Sequence, residues 1–216
     1  MHISEGIMTA PMLAGGAVLT AAGVAAGLRK METARICQVA VLTAAFFVGS
    51  LIHVPIGPSS AHLMLCGLLG LILGWAAFPA ILVGLFLQAV MFGYGGLMVL
   101  GVNTFNMALP AVAVFYLCRQ GIKSNDAKWV FVWGFTAGAG AMFLAGILLA
   151  GSLYSAGREF KPVVELILIV HLPVMIIEGL VTGWAVVFLR KVRPEIFQIY
   201  LMFPKEKESL SCQWAK

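Results

Sequence analysis

Charge is what this sequence has least of. Only 11% of its 216 residues are Asp, Glu, Lys or Arg, against roughly 25% in a soluble domain. Between Ile36 and Cys118 there is none at all, a run of 83 residues. No soluble fold keeps such a run in water, which excludes a secreted domain, a nucleic-acid binder and a soluble enzyme. Cysteine is also scarce. Cys37, Cys66, Cys118 and Cys212 show no CxxC spacing, so neither a zinc cage nor a redox motif is indicated. They read as small buried hydrophobes. No HExxH and no GxxxxGK[ST] occurs, so neither a zincin protease nor a P-loop ATPase is indicated. No acid lies near Ser59 or Ser60, so a Ser-His-Asp arrangement lacks support. The N-terminus, MHISEGIM, lacks Lys and Arg. A signal peptide needs a positive n-region, so no cleavage is expected and Met1 should persist.

What is present is hydrophobic: 61% of the residues, with a mean hydropathy of +0.99. A helix crosses the hydrocarbon with about 20 apolar residues. Seven runs qualify: 8–28, 35–54, 61–77, 79–99, 103–119, 129–151 and 163–189. Pro55 to Pro58, Phe78-Pro79, and Gly93 to Gly96 with Gly101 divide them. The runs are too long, and too poor in alternation, for a β-barrel. The expected fold is an all-α integral membrane protein of about seven transmembrane helices. Residues 1–190 should form a single membrane domain, N-terminal segment included, and 191–216 a cytoplasmic tail. From Arg190 onward that tail mixes charges and should be partly ordered at most.

The net charge of +5 follows from the loops. Arg29, Lys30 and Arg35, then Arg119, Lys123 and Lys128, then six cations after Leu189 fall on one side of a seven-span chain. The other side keeps Arg158 and Lys161. Positive loops stay cytoplasmic, so the N-terminus is expected outside and the C-terminus in the cytoplasm. In the first span Ala10, Ala14, Ala22, Ala26, Gly23 and Gly27 recur at four-residue spacing. Such faces let helices approach closely, here more plausibly within the bundle than against a partner.

Polar groups inside a membrane are costly and default to function. They are His2, His53, His62 with Ser59 and Ser60 beside it, Gln88, Asn103, Asn106, His171 and Glu178. Asn103 and Asn106 share a face if helical. His171 lies two turns before Glu178 on one face of the last span, and Pro173 between them should loosen that helix. Lone acid and histidine in spans suit a proton path or a metal path.

Met1-His2 has chelating chemistry of its own. The α-amine, the amide nitrogen of His2 and its imidazole Nδ1 close a five-membered and then a six-membered ring around one ion. An amide gives up its proton only to a strongly binding ion, and square-planar nitrogen sites indicate Cu(II) or Ni(II). The bulky His2 should protect Met1 from aminopeptidase, and the formyl group must be removed. A fourth nitrogen is required, and His62 and His53 are the candidates.

MHISEG, HVPIGPSSAHL, LQAVMFGYGGLMVLGVNTFNM and HLPVMIIEG, in that order and reaching from Met1 to Gly179, resemble the CbiM/NikM family. These are the substrate-binding membrane components of energy-coupling factor (ECF) transporters, an ABC transporter class, for cobalt and nickel. The resemblance implies that the N-terminal segment tucks into the bundle and that Met1, His2 and His62 bind the metal, with His53 as the rival fourth ligand. It implies that Ser60, Gln88, Asn103, Asn106 and Glu178 orient the surrounding loops. Tyr94 stands where many cobalt-type relatives carry Asp, and ALP follows NTFNM; both lean towards nickel over cobalt. The resemblance further implies a prokaryotic inner or plasma membrane. It also implies partner subunits: a transmembrane coupling subunit, two cytoplasmic ATPases and a small accessory membrane subunit. ATP hydrolysis would belong to them, and this chain would be no enzyme. The rival reading is a stand-alone cation carrier or channel using His171 and Glu178.

Overall fold

In the computed structural model, residues 3–51, 53–56, 59–157 and 161–198 are described; for 53–56, 59–62, 161–168, 170 and 198 the description covers the backbone only. Helix α1 spans Ala10–Lys30, α2 Ile36–Gly49, α3 Cys66–Leu73, α4 Ala77–Phe92, α5 Leu100–Cys118, α6 Ala127–Ala156, α7 Lys161–Val192 and α8 Glu195–Gln198. Between α2 and α3 lies an antiparallel ribbon of β1 (His53–Ile56) and β2 (Ser59–His62). Its register pairs His53 with His62 and Pro55 with Ser60.

Local chemistry sets several of the boundaries. Pro11 opens α1, where its missing N–H costs nothing, and Arg29 and Lys30 occupy its last turn, where the helix dipole favours cations. Gly93, at φ +68°, ends α4 in the left-handed region. The Asp126 side chain accepts from the Lys128 N–H at 2.9 Å and starts α6. Pro173 lies inside α7, which continues through it.

Packing shows which way each element runs. Near the start of α1, Gly16 lies against Val102 of α5; near its end, Gly27 lies against the Trp75 carbonyl. Basic residues gather at that second end. Lys30 Nζ sits 4.7 Å from the Trp75 ring centroid, and Arg119 lies over the Phe115 and Tyr116 rings. Arg190 donates to the carbonyls of Ile122 and Ser124. The cationic segments the sequence assigned to one side therefore do meet at one end, here called the basic end. The N-terminal segment and the 93–99 turn mark the other.

Among the described residues, five helical stretches are long and apolar enough to cross a membrane: Ala10–Lys30, Cys66–Phe92, Leu100–Cys118, Ala127–Ala156 and His171–Val192. Thr33–Gly49 is a shorter apolar helix. Large apolar side chains such as Val18, Val41, Met91, Phe143 and Trp184 point outward from the bundle, as a lipid solvent allows. The protein is a multi-pass membrane protein.

The expected third span, 61–77, needs correction. Its first residues close the ribbon, 63–65 are not helical, with Leu65 left-handed, and α3 has only eight residues. At 1.5 Å per residue α3 reaches about 12 Å, under half of a hydrocarbon core of about 30 Å. Every residue of α3 is buried. Its glycines let it approach its neighbours without side chains between: a Cβ on Gly70 would strike the Ala111 backbone, and one on Gly67 the backbone of Ala137 and Gly138. Gly70→Ala is accordingly expected to destabilise the protein by about 1–3 kcal/mol, read as a lower thermal midpoint in detergent.

Two smaller expectations also change. In α1 the packed face is Gly16, Thr20, Gly23 and Gly27, whereas Ala10, Ala14 and Ala22 face outward. Cys66 and Cys118 are buried as expected, but Cys37 is exposed on the first turn of α2; Cys212 lies outside the described residues. The tail is described as far as Gln198, with Phe197 buried against the main core; residues 199–216 lie outside the description.

Candidate metal centre

The end of the bundle opposite the basic residues holds the polar groups singled out in the sequence. Ile3, three residues from the chain start, is only 2% exposed. Its N–H donates to Asn103 Oδ1 at 3.0 Å, and its carbonyl accepts from Asn103 Nδ2 at 3.2 Å. One buried amide side chain on the first turn of α5 thus satisfies both backbone groups of Ile3, as a neighbouring strand would. The segment folds inward and is held there. Ile3, Met8, Val99, Val102, Leu149 and Leu153 form a small apolar cluster of their own, separate from the main core.

Asn106, one turn further along α5, donates from Nδ2 to Ser152 Oγ of α6 at 3.1 Å. The two asparagines do share a face, but they do different work: Asn103 holds the N-terminal segment and Asn106 ties α5 to α6. Ser152 was not singled out from the sequence, and a lone serine among apolar residues gives no signal there.

Glu178 is 1% exposed, in the interior of α7. Its Oε1 accepts from the Met64 and Leu65 N–H groups, and Oε2 accepts from Leu65 at 3.1 Å. Leu65 is the residue before α3 and adopts φ +51°. The carboxyl group therefore caps the positive end of the α3 dipole. At the other end of α3, the buried Arg35 donates to the Ile72 carbonyl at 3.0 Å. A half-length helix with both ends inside the protein would leave backbone groups unsatisfied. Here an acid and a base, one from each end of the sequence, complete them.

Gln88 is 0% exposed, and among the described residues neither amide atom has a hydrogen-bond partner. It lies on the face of α4 that includes Ile81, Gly84 and Leu85, all buried. A buried amide left open in this way is costly and marks a place where a further polar group fits. Tyr94 follows α4, its ring centroid 5.7 Å from that of Phe92. Phe92 in turn stacks on Phe47 of α2.

Met1 and His2 lie outside the described residues, as do the side chains of His53, Ser60 and His62. Of the last three the backbone is placed, and His53 and His62 face one another on the outermost rung of the ribbon. Glu178 grips the chain just after that rung. Among the described residues, no group of three His, Cys, Asp or Glu could hold a metal ion.

His171 stands elsewhere. It lines a groove of about 260 Å³ between α6 and α7 with Met142, Phe143, Gly146, Leu172 and Met175. Glu178 is directed to the start of α3 instead. Both carboxyl oxygens of Glu178 are engaged by backbone N–H groups.

The family described as "Cobalt uptake substrate-specific transmembrane region", CbiM, matches residues 2–196. The chain belongs to the CbiM family. A protein of Haemophilus influenzae named for metal transport is 43% identical over 91% of this chain and 96% of its own length. The fused nickel transport protein NikMN of Rhodobacter capsulatus is 30% identical over 91% of this chain and 63% of its own. The cobalt transport protein CbiM of Sorangium cellulosum is 28% identical over 91% and 94%. A crystal structure of a truncated transition metal transporter superposes with a TM-score of 0.67 at 25% identity, covering 89% of this chain and 99% of that one. Membership makes this CbiM-family chain a membrane component of cobalt or nickel transport. The four sequence blocks that carried the resemblance all lie within, or one residue outside, the matched range.

Proposed function

We propose that this chain is the substrate-capturing component of an ECF-type transporter and that its cargo is Ni(II), with Co(II) the alternative. The ion is held by the Met1 α-amine, the His2 amide nitrogen, His2 Nδ1 and one imidazole from the ribbon, His62, with His53 as the other candidate. The observation that carries this reading is the clamp of Asn103 on Ile3. Consecutive Cα atoms are about 3.8 Å apart, so residues 1 and 2 lie within about 8 Å of a fixed, buried point. Asn103 also supports a count of three nitrogens from the N-terminus. The Ile3 N–H is committed to Asn103 Oδ1 and keeps its proton, so the N-terminus offers three nitrogens and a fourth must come from elsewhere. Ser60, Gln88, Asn106 and Glu178 act as supports around that arrangement.

Selectivity follows from geometry. A square of nitrogens that includes a deprotonated amide gives low-spin d8 Ni(II) a large ligand-field gain. Co(II) gains less, and Zn(II) has no d-electron reason to accept a square. Cu(II) binds at least as tightly by the Irving–Williams order, so discrimination against it rests on availability. The basic end faces the cytoplasm by the positive-inside rule, which places the N-terminal segment outside. A transmembrane coupling subunit, two cytoplasmic ATPases and a small accessory membrane subunit complete the machine and hydrolyse the ATP.

The test is metal content and the visible spectrum of the purified protein with its native N-terminus, loaded with Ni(II) or Co(II). The expected result is one equivalent of Ni(II) with a square-planar d–d band. An octahedral or tetrahedral spectrum would overturn the chelate. Vesicle uptake that proceeds without ATPase subunits would overturn the assignment to a coupled transporter.

A further inference from the structure

Glu5 lies in the same N-terminal segment, two residues after Ile3. Its Oε1 accepts from the Met98 N–H at 3.0 Å. Met98 stands just before α5, where N–H groups have no intrahelical acceptor and the dipole favours a carboxylate. The turn it belongs to is shaped around that carboxyl. Gly93, Gly95 and Gly96 all have positive φ, and a Cβ on Gly96, at φ +125°, would collide with the Glu5 side chain. Asn103 fixes the segment at Ile3, and one fixed point still allows a pivot. Glu5 supplies a second, two residues on, and its partner Met98 lies just before α5 while Asn103 lies on the first turn of that helix.

We propose that Glu5 is a positioning residue, a latch that holds the metal-bearing N-terminal segment against the 96–98 turn and sets how fast the metal leaves. The proposal rests on the N-terminal chelate proposed above. Two further features suit a latch. Glu5 is exposed, so water can replace its bond when it opens. The segment packs on a small cluster apart from the main core, so it can lift away by local opening without unfolding the bundle. Release of the ion requires that lifting, because the α-amine and the His2 amide move only with the chain that carries them. Loss of the latch therefore speeds release while leaving the ligands unchanged.

The experiment compares full-length native-N-terminus protein with Glu5→Ala, Glu5→Gln and Gly96→Ala. One readout is Ni(II) release into excess chelator. The other is hydrogen exchange of the 96–103 backbone in metal-free protein. Glu5→Ala is expected to release Ni(II) about tenfold faster or more, the scale of one hydrogen bond to a charged group, with the d–d band unmoved and with faster exchange at Met98. Glu5→Gln keeps an acceptor oxygen and should restore most of the wild-type rate. Gly96→Ala leaves Glu5 in the chain but evicts it, and should behave as Glu5→Ala does. Wild-type release and exchange rates in Glu5→Ala would overturn the latch. A wild-type protein that binds no Ni(II), with exchange still accelerated in Glu5→Ala, would sink the chelate and leave the contact of Glu5 with the turn standing as structure alone.

Discussion

One residue added ahead of Met1 is expected to lower Ni(II) affinity by more than about 100-fold. Changes to groups that merely support a metal ligand cost roughly 10–100-fold, and this change removes a ligand. In the proposed chelate the α-amine becomes a peptide nitrogen, which must lose a proton before it can bind. The chain at Ile3 is pinned on both backbone groups by Asn103, so Met1 and His2 keep their register with it, and the added amine reaches the ion only through that second deprotonated amide, in the place that the ribbon imidazole would fill. His2→Ala should lose capture equally, by removing the imidazole instead of the amine. Equilibrium dialysis on the native, extended and His2→Ala proteins checks the pair. Full binding by the extended form would move the site to the interior histidines.

How far this could be read from sequence depends on the kind of interaction. The uncharged run from Ile36 to Cys118 was enough for a membrane bundle, because charge in hydrocarbon is costly wherever it falls. The cationic loops were enough to gather one end, for the same reason. Hydropathy could not see α3. Residues 61–77 are as apolar as a span, and nothing in composition says that 63–65 leave the helical region or that Leu65 turns left-handed. What makes that conformation affordable is Glu178, 113 residues away from Leu65. The two asparagines were legible as buried polar groups on one face, but their partners, Ile3 and Ser152, were not. Such pairings depend on which helices become neighbours. Glu5 carried no signal, since an acid near a terminus is ordinary on a solvated surface.

Glu178→Ala is expected to destabilise the protein by about 2–5 kcal/mol and to weaken Ni(II) binding by roughly 10–100-fold. The carboxyl group takes up the Met64 and Leu65 N–H groups. Met64 is 1% exposed, so water cannot easily replace the lost acceptor, and a buried N–H left open costs about 1–3 kcal/mol. Leu65 would also lose what holds it at φ +51°, a conformation that a residue with a Cβ enters only under constraint. The consequence for metal passes through the backbone. Released from Glu178, the 63–65 segment no longer fixes the end of β2, and His62, the fourth ligand of the proposed site, lies two residues before Met64. Glu178→Gln separates the two effects. Its one carbonyl oxygen can still accept from one of the N–H groups, while its NH2 opposes the other, so stability should recover in part and metal affinity less. Thermal unfolding in detergent and Ni(II) titration of the same samples give both readings. If Glu178→Ala lost stability but bound Ni(II) as tightly as wild type, the fourth ligand would not depend on the 63–65 segment, and His53, on the opposite strand, would replace His62.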